Sequence, residues 1–166
     1  DGINAREPRR VAISGTSAYV CNFDGTVAVI DLSSNSVETL INVGSNPDGI
    51  AVVGDYVYVS NSGGLNYPVY DSTISVIDIH TNSVVETFKT RINSTQMIVD
   101  NQNEIYLSSN GNYDDIPGAL VRINTASNTV ISEQEKEISS MRLVGDWIYF
   151  FNGATQSIER YNTLSR

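Results

Sequence analysis

The sequence predicts an all-β protein: a β-propeller of about four four-stranded antiparallel blades, part of a larger ring. Three observations predict it. A tyrosine-led apolar motif returns four times along the 166 residues. A second motif, an apolar run ending in Asp or Asn with an Asn four positions later, keeps pace with it. The segments between are short β-branched and aromatic runs bounded by Gly, Asn, Asp and Ser, with no helix-period stretch of useful length. A period near 40 residues with four strands per unit is the signature of a propeller blade.

The first motif reads Tyr19-Val20-Cys21-Asn22, Tyr58-Val59-Ser60-Asn61, Tyr106-Leu107-Ser108-Ser109 and Tyr149-Phe150-Phe151-Asn152, at spacings of 39, 48 and 43 residues. The second reads Val29-Ile30-Asp31-Leu32 with Asn35, and Val76-Ile77-Asp78-Ile79 with Asn82. It is echoed by Arg122-Ile123-Asn124 with Asn128, and by Arg160-Tyr161-Asn162. The second unit shows the strands most clearly: 49–53, a Gly54-Asp55 turn, 56–60, a long loop, 73–79, a turn at 80–83, and 84–88. Its central strands are apolar at nearly every position, so both sheet faces must be covered, as in sheets stacked on sheets. The blades fall at about 8–46, 47–93, 94–138 and 139–166, and the last stops after its third strand, near Leu164. An open arc of this kind presents an apolar face at each end, and such faces seek partners. Self-association through the open blade edges is therefore expected.

Gly54 to Asn61, followed by Ser75 to Thr87, resembles the repeat of the YVTN family. The stretch from Gly44 to Ala51, with Pro47 and Gly49, resembles the junction between its blades. The resemblance is good in the first two units and drifts in the last two. It implies a propeller of the type found in bacterial and archaeal surface-layer and other cell-surface proteins, and so an extracellular, cell-surface or periplasmic location. It implies a scaffold rather than an activity.

Composition narrows the partners. The formal charge is −9, and the basic residues are scattered, the densest set being Arg6, Arg9 and Arg10. Phosphate binding needs clustered Lys and Arg, so no nucleic acid and no anionic lipid is expected. No run of about 18 apolar residues exists, so no membrane insertion is expected. The first residues lack the apolar core of a signal peptide. Cys21 is the only cysteine, which rules out an intrachain disulfide, and its place in a central strand predicts a small buried hydrophobe.

Candidate sites concentrate in two long loops, 62–72 and 110–118, which neighbouring blades should set side by side. They carry Tyr67, Tyr70 and Tyr113 with Asp71, Asp114 and Asp115. Aromatic faces beside carboxylates suit sugar rings or cationic groups. Asn110, Asn112 and Asp114 follow the alternating oxygen spacing of a calcium loop, but Asp115 and Val121 stand where an EF-hand needs Gly and Glu. An Asn- and Asp-rich turn explains the same residues. Asp71 and Asp114 could converge as the carboxylate pair of a glycoside-cleaving enzyme. His80, the only histidine, falls in a hairpin turn on the opposite face. Asn22, Asn61, Ser109 and Asn152 recur after the second strand of each unit, and their side chains are expected to bond loop backbone. Asp31 and Asp78 are expected to cap the following turn. Asn93-Ser94-Thr95 is a formal glycosylation sequon. Gly63-Gly64 lacks the lysine and helix of a phosphate loop. No cofactor is implied. These features point first to a non-enzymatic module that binds a glycan or protein partner through its long-loop face. The alternatives are a purely structural surface-layer assembly unit and a carboxylate-based lyase or hydrolase.

Overall fold

The computed structural model describes residues 6–165. The first blade holds β1 (Pro8–Ser14), β2 (Ser17–Asn22), β3 (Thr26–Asp31) and β4 (Ser36–Asn42). The second holds β5 (Pro47–Val53), β6 (Tyr56–Asn61), β7 (Thr73–Asp78) and β8 (Ser83–Lys89). The third holds β9 (Ser94–Val99), β10 (Ile105–Ser109), β11 (Ala119–Asn124) and β12 (Thr129–Glu135). The fourth holds β13 (Ile138–Val144), β14 (Trp147–Asn152) and β15 (Ser157–Asn162). Each sheet is an antiparallel meander in chain order, and no helix occurs among the described residues. The chain is thus all-β, and its described residues form three four-stranded blades and one of three strands.

Local chemistry explains the meanders. The first hairpin turn of three blades opens on a glycine with positive φ: Gly15, Gly54 and Gly145. A side chain at that angle is strained, so glycine is favoured. The third-to-fourth turns close with Asn35, Asn82 and Asn128, all left-handed, at φ of 55°, 49° and 51°. Asparagine tolerates that region better than most residues. Each of these turns begins with a side-chain cap. Asp31 Oδ1 accepts from the backbone of Ser33 and Ser34, Asp78 Oδ1 from His80 and Thr81, and Asn124 Oδ1 from Ala126 and Ser127. The expected capping role of Asp31 and Asp78 is what the structure shows.

The blades stack through their apolar faces. β1 packs on β5, β5 on β9 and β9 on β13. Tyr19, Cys21, Val27 and Val29 meet Ile50, Val57, Val59 and Ile77 across the first joint. Tyr58, Ile74 and Val76 meet Ile105, Leu107 and Val121 across the second. Tyr106 and Leu120 meet Met141, Ile148 and Phe150 across the third. β10 is buried at every position. β14 alternates, with Ile148 and Phe150 inside and Tyr149 and Phe151 exposed. Its outer face has no blade against it among the described residues. The stacking brings the loops after the second strands to one side, together with the junctions between blades, and the candidate site lies there.

Candidate binding face

The loop from β6 to β7 is tied down at both ends. Ser62 and Gly63 donate their backbone N–H groups to the carbonyls of Asn46 and Ser45. Asp71 closes the other end: Oδ1 accepts from Thr73 N–H and Oγ1, and Oδ2 accepts from Ser45 N–H. Gly63 has a positive φ and its Cα lies against the backbone of Tyr70 and Asp71, which leaves no room for a side chain. The loop from β10 to β11 is built likewise. Gly111, also at positive φ, presses on the carbonyls of Ile116 and Pro117, and Asn112 Oδ1 accepts from the N–H groups of Asp114 and Ile116.

These anchors bring the three loop tyrosines together. The Tyr70 ring lies 6.3 Å from Tyr67 at 72° and 6.3 Å from Tyr113 at 74°, so the three form an edge-to-face ladder across two blades. That is a favoured aromatic geometry. The outer rings of Tyr67 and Tyr113 are each 73% exposed, and Leu65 and Val69 beside them are exposed as well. Burial, then the neighbouring phenols of Tyr113 and Tyr67, pushes the Tyr70 hydroxyl above its ordinary value. An exposed aromatic and aliphatic patch on anchored loops offers flat, partly apolar contact area, as a sugar face or a protein surface requires.

The carboxylates behave differently from one another. Asp71 is occupied by the loop's own backbone, as above. Asp115 accepts from Asn112 Nδ2 at 2.7 Å. Asp114 lines a cleft of about 480 Å³ between the third and fourth blades, with Tyr113, Asn110, Ile116 and Glu137. Asp71 lines another, more open cleft between the first and second blades, with Phe23, Asp24, Asn46 and Asn66. Asp71 and Asp114, the two carboxylates singled out as an acid and base pair, therefore line separate clefts. Of the three residues at calcium-loop spacing, Asn112 has both its amide groups in the turn, while Asn110 and Asp114 line the cleft. Glu137, opposite Asp114, escaped the sequence reading. Its only signal was its place on the junction between the third and fourth blades, where its carbonyl accepts from Gly153 as that of Asn46 accepts from Ser62.

The other singled-out residues serve the scaffold. His80 sits in the β7–β8 turn, 3.5 Å from Asp55 and largely in solvent. Cys21 is fully buried, its Sγ 3.1 Å from the Asp48 carbonyl, and burial holds its thiol up at about 11. Ser109 follows expectation, accepting from the N–H of Gly111 in the loop. The recurring asparagines add side-chain partners to it. Asn22 Nδ2 donates to Thr26 Oγ1, Asn61 Nδ2 to Thr73 Oγ1 and Ser75 Oγ, and Asn152 Nδ2 to Glu159 Oε1. They bind side chains of the adjacent third strand: register puts Thr26 and Thr73 opposite Asn22 and Asn61, and Ser75 and Glu159 two positions further along that strand. Asn61 Oδ1 also takes the N–H of Gly44 in the junction between blades, and Asn152 Oδ1 that of Ala154 in its own loop. The basic set near the N-terminus is paired: Arg6 with Asp24, and both Arg9 and Arg10 with the buried Asp48.

Comparison with known proteins places this geometry. The LVIVD repeat model matches residues 5–43 and 44–66, which span the first blade and the first half of the second. The fold is similar to Kuenenia stuttgartiensis hydrazine synthase, with a TM-score of 0.80 at 16% identity over 96% of this chain and 47% of that one. The chain is a repeat protein of the β-propeller type. It is also similar to BamB from Moraxella catarrhalis (TM-score 0.67, 12% identity, 93% of this chain and 42% of that one). The computationally designed Ika4 protein matches with a TM-score of 0.67 at 11% identity, covering 93% of this chain and 90% of that one. At these identities the likeness shows the fold alone. The propeller chain spans under half the length of the first two structures. No curated protein matches it.

Proposed function

We propose that the propeller is a non-enzymatic binding module of an extracellular, cell-surface or periplasmic protein, taking a glycan or protein partner through its long-loop face. The observation that carries this reading is the Tyr67–Tyr70–Tyr113 ladder, with its two outer rings in solvent. Large aromatic side chains on anchored loops have few torsions to order on binding, and preorganisation of that kind favours affinity. The separation of Asp71 from Asp114 speaks for binding over carboxylate catalysis. The resemblance of residues 54–61 and 75–87 to YVTN repeats, together with a Ser-, Thr- and Asn-rich surface, supports the cell-surface placement. A glycan array probed with the protein and with a Tyr67→Ala, Tyr70→Ala, Tyr113→Ala triple variant tests the reading. Stacking contacts of this type lead us to expect the variant to lose about tenfold or more in affinity for the ligand. A glycan bound equally by both proteins would remove the site from the long-loop face. No glycan bound by either would leave a protein partner as the reading to pursue.

A further inference from the structure

The carbonyls of Asn46, Asn93 and Glu137 hold equivalent places on the long-loop face. They accept from Ser62, Asn110 and Gly153, in each case the first N–H after the second strand of the blade. Two of these junction residues also donate. Asn46 Nδ2 gives a proton to the Phe23 carbonyl at 2.9 Å, and Asn93 Nδ2 to that of Gly111 at 3.1 Å. A carboxylate has no N–H to give. Glu137 therefore drops that scaffold bond, and its side chain has no hydrogen-bond or ion-pair partner among the described residues. Its Oε2 lies 3.4 Å from where a Cβ would stand on Gly153, which sets the carboxylate in the wall of the cleft between the third and fourth blades.

That cleft carries negative charge which the described residues do not balance. The Asp114 carboxylate has no partner among them either, and nor has the side-chain amide of Asn110. The cations beside the cleft are engaged elsewhere. Lys136, next to Glu137 in the chain, is held by Glu159 at 2.7 Å. Arg91, which donates to the Pro117 carbonyl, is held by Glu133 at 2.9 Å. The cleft between the first and second blades is the contrast. Its carboxylates are occupied, Asp71 by Ser45 and Thr73, and Asp24 by Arg6 and Thr26. The rest of the cleft between the third and fourth blades is an exposed ring, Tyr113, and the apolar side chains of Ile116, Pro117 and Ile138. Two unpaired carboxylates beside a π face and an apolar wall select a cation that carries its own hydrocarbon.

We propose that this cleft seats an arginine side chain presented by a protein partner, its guanidinium reaching Asp114 and Glu137, its plane against the Tyr113 ring and its stem along Ile116 and Pro117. The inference rests on the long-loop-face reading and takes the protein arm of it. Arginine fits better than lysine: a planar guanidinium donates to two carboxylates at once and stacks on a ring, and an ammonium is a compact, strongly hydrated point charge. The space, about 480 Å³, is of the size that holds a side chain together with the backbone that presents it. The formal charge of −9 draws a basic segment towards the molecule from a distance, and the unpaired carboxylates choose where it seats.

Amide NMR spectra of the isotope-labelled chain, titrated with the blocked peptide acetyl-Gly-Arg-Gly-amide, test this. The signals of residues 110–118, 137–139 and 153 should move together and saturate, with a dissociation constant on the order of 1 mM. The same peptide with citrulline, which keeps the shape and loses the charge, should bind about tenfold more weakly, and the lysine peptide about threefold more weakly. An Asp114→Asn, Glu137→Gln double variant should lose about tenfold, and Tyr113→Ala about threefold. A Glu38→Gln, Asp55→Asn double variant removes the same charge from exposed positions outside the cleft and should change binding by about twofold at most. The substituted side chains are all exposed, and the dispersion of the same spectra separates lost binding from lost folding. Equal affinity for the citrulline peptide, equal binding by the Asp114, Glu137 double variant, or no saturable shift would each overturn the inference. Shifts confined to residues 62–72, or a glycan bound on the array by a chain that takes no arginine peptide, would overturn it too and leave the long-loop-face reading standing.

Discussion

Gly49→Ala should destabilise the propeller through a single methyl group at the joint between the second and third blades. Gly49 lies at the bulged start of β5, where pairing shifts register between Pro47 and Gly49. A Cβ there would run into the carbonyl oxygen of Thr95 on β9, with Ser60 Oγ at 2.6 Å on its other side. The first obstacle is backbone, so it yields only if β5 and β9 move apart, and that separation loosens a joint packed by Ala51, Tyr58 and Met97. Overpacking of this kind costs about 1–3 kcal/mol, and an immovable obstacle puts the cost near the top of that range. Against it stands the roughly 0.5–1 kcal/mol that alanine gains over glycine within regular structure. The net loss should be about 2 kcal/mol. Urea melts followed by circular dichroism measure it. With a slope of about 2 kcal/mol/M for a domain of this size, the midpoint should fall by about 1 M. Gly64→Ala is the control, because its nearest obstacle is the far end of the Phe23 ring at 3.1 Å, which can turn aside. A Gly49→Ala loss below about 0.5 kcal/mol, no larger than that of an ordinary surface change, would refute the close approach of the two inner strands.

Two further outcomes follow from buried groups. The Cys21 thiol, held up at about 11 chiefly by burial, should resist iodoacetamide at pH 8 in the folded protein and react in urea; mass spectrometry reads both states. Tyr58 and Tyr106 are each raised to about 12, chiefly by burial, with Glu86 adding to Tyr58 and Asp100 to Tyr106. A phenol raised in the folded state contributes stability that is fully present below its ordinary value of 10.0 and is lost as pH rises through about 12. Urea midpoints should therefore fall between pH 10 and 12, and Tyr58→Phe should flatten part of that fall.

Much of the fold was legible because the repeat writes the same physical demand at the same place four times. The left-handed turn after the third strand needs an Asn, and the cap before it an Asp or Asn, so Asp31 and Asn35 return as Asp78 and Asn82. Strand limits shifted by one or two residues: β6 runs on to Asn61 and β8 spans Ser83–Lys89. β5 begins at Pro47, before the bulge, and β7 ends at Asp78, because the carboxylate there already belongs to the turn. The tyrosine ladder was legible because two long loops on adjacent blades must be neighbours. The fate of Asp71 was not, since a carboxylate on a binding surface and one tying down a loop look alike until Ser45 N–H is seen donating to it. The same holds for Asn61, whose partners depend on cross-strand register, and for Glu137, which enters the cleft from a junction rather than from a long loop.

Mild nitration with tetranitromethane, mapped by mass spectrometry with and without an array-identified glycan, tests the loop-face account most directly. Tyr67 and Tyr113, each 73% exposed, should be modified first, while Tyr19, Tyr58 and Tyr106 inside the joints are spared. The bound glycan should protect Tyr67 and Tyr113. Early modification of Tyr58 would contradict the stacking of the blades, and loop tyrosines that stay equally reactive with the glycan bound would contradict the binding face.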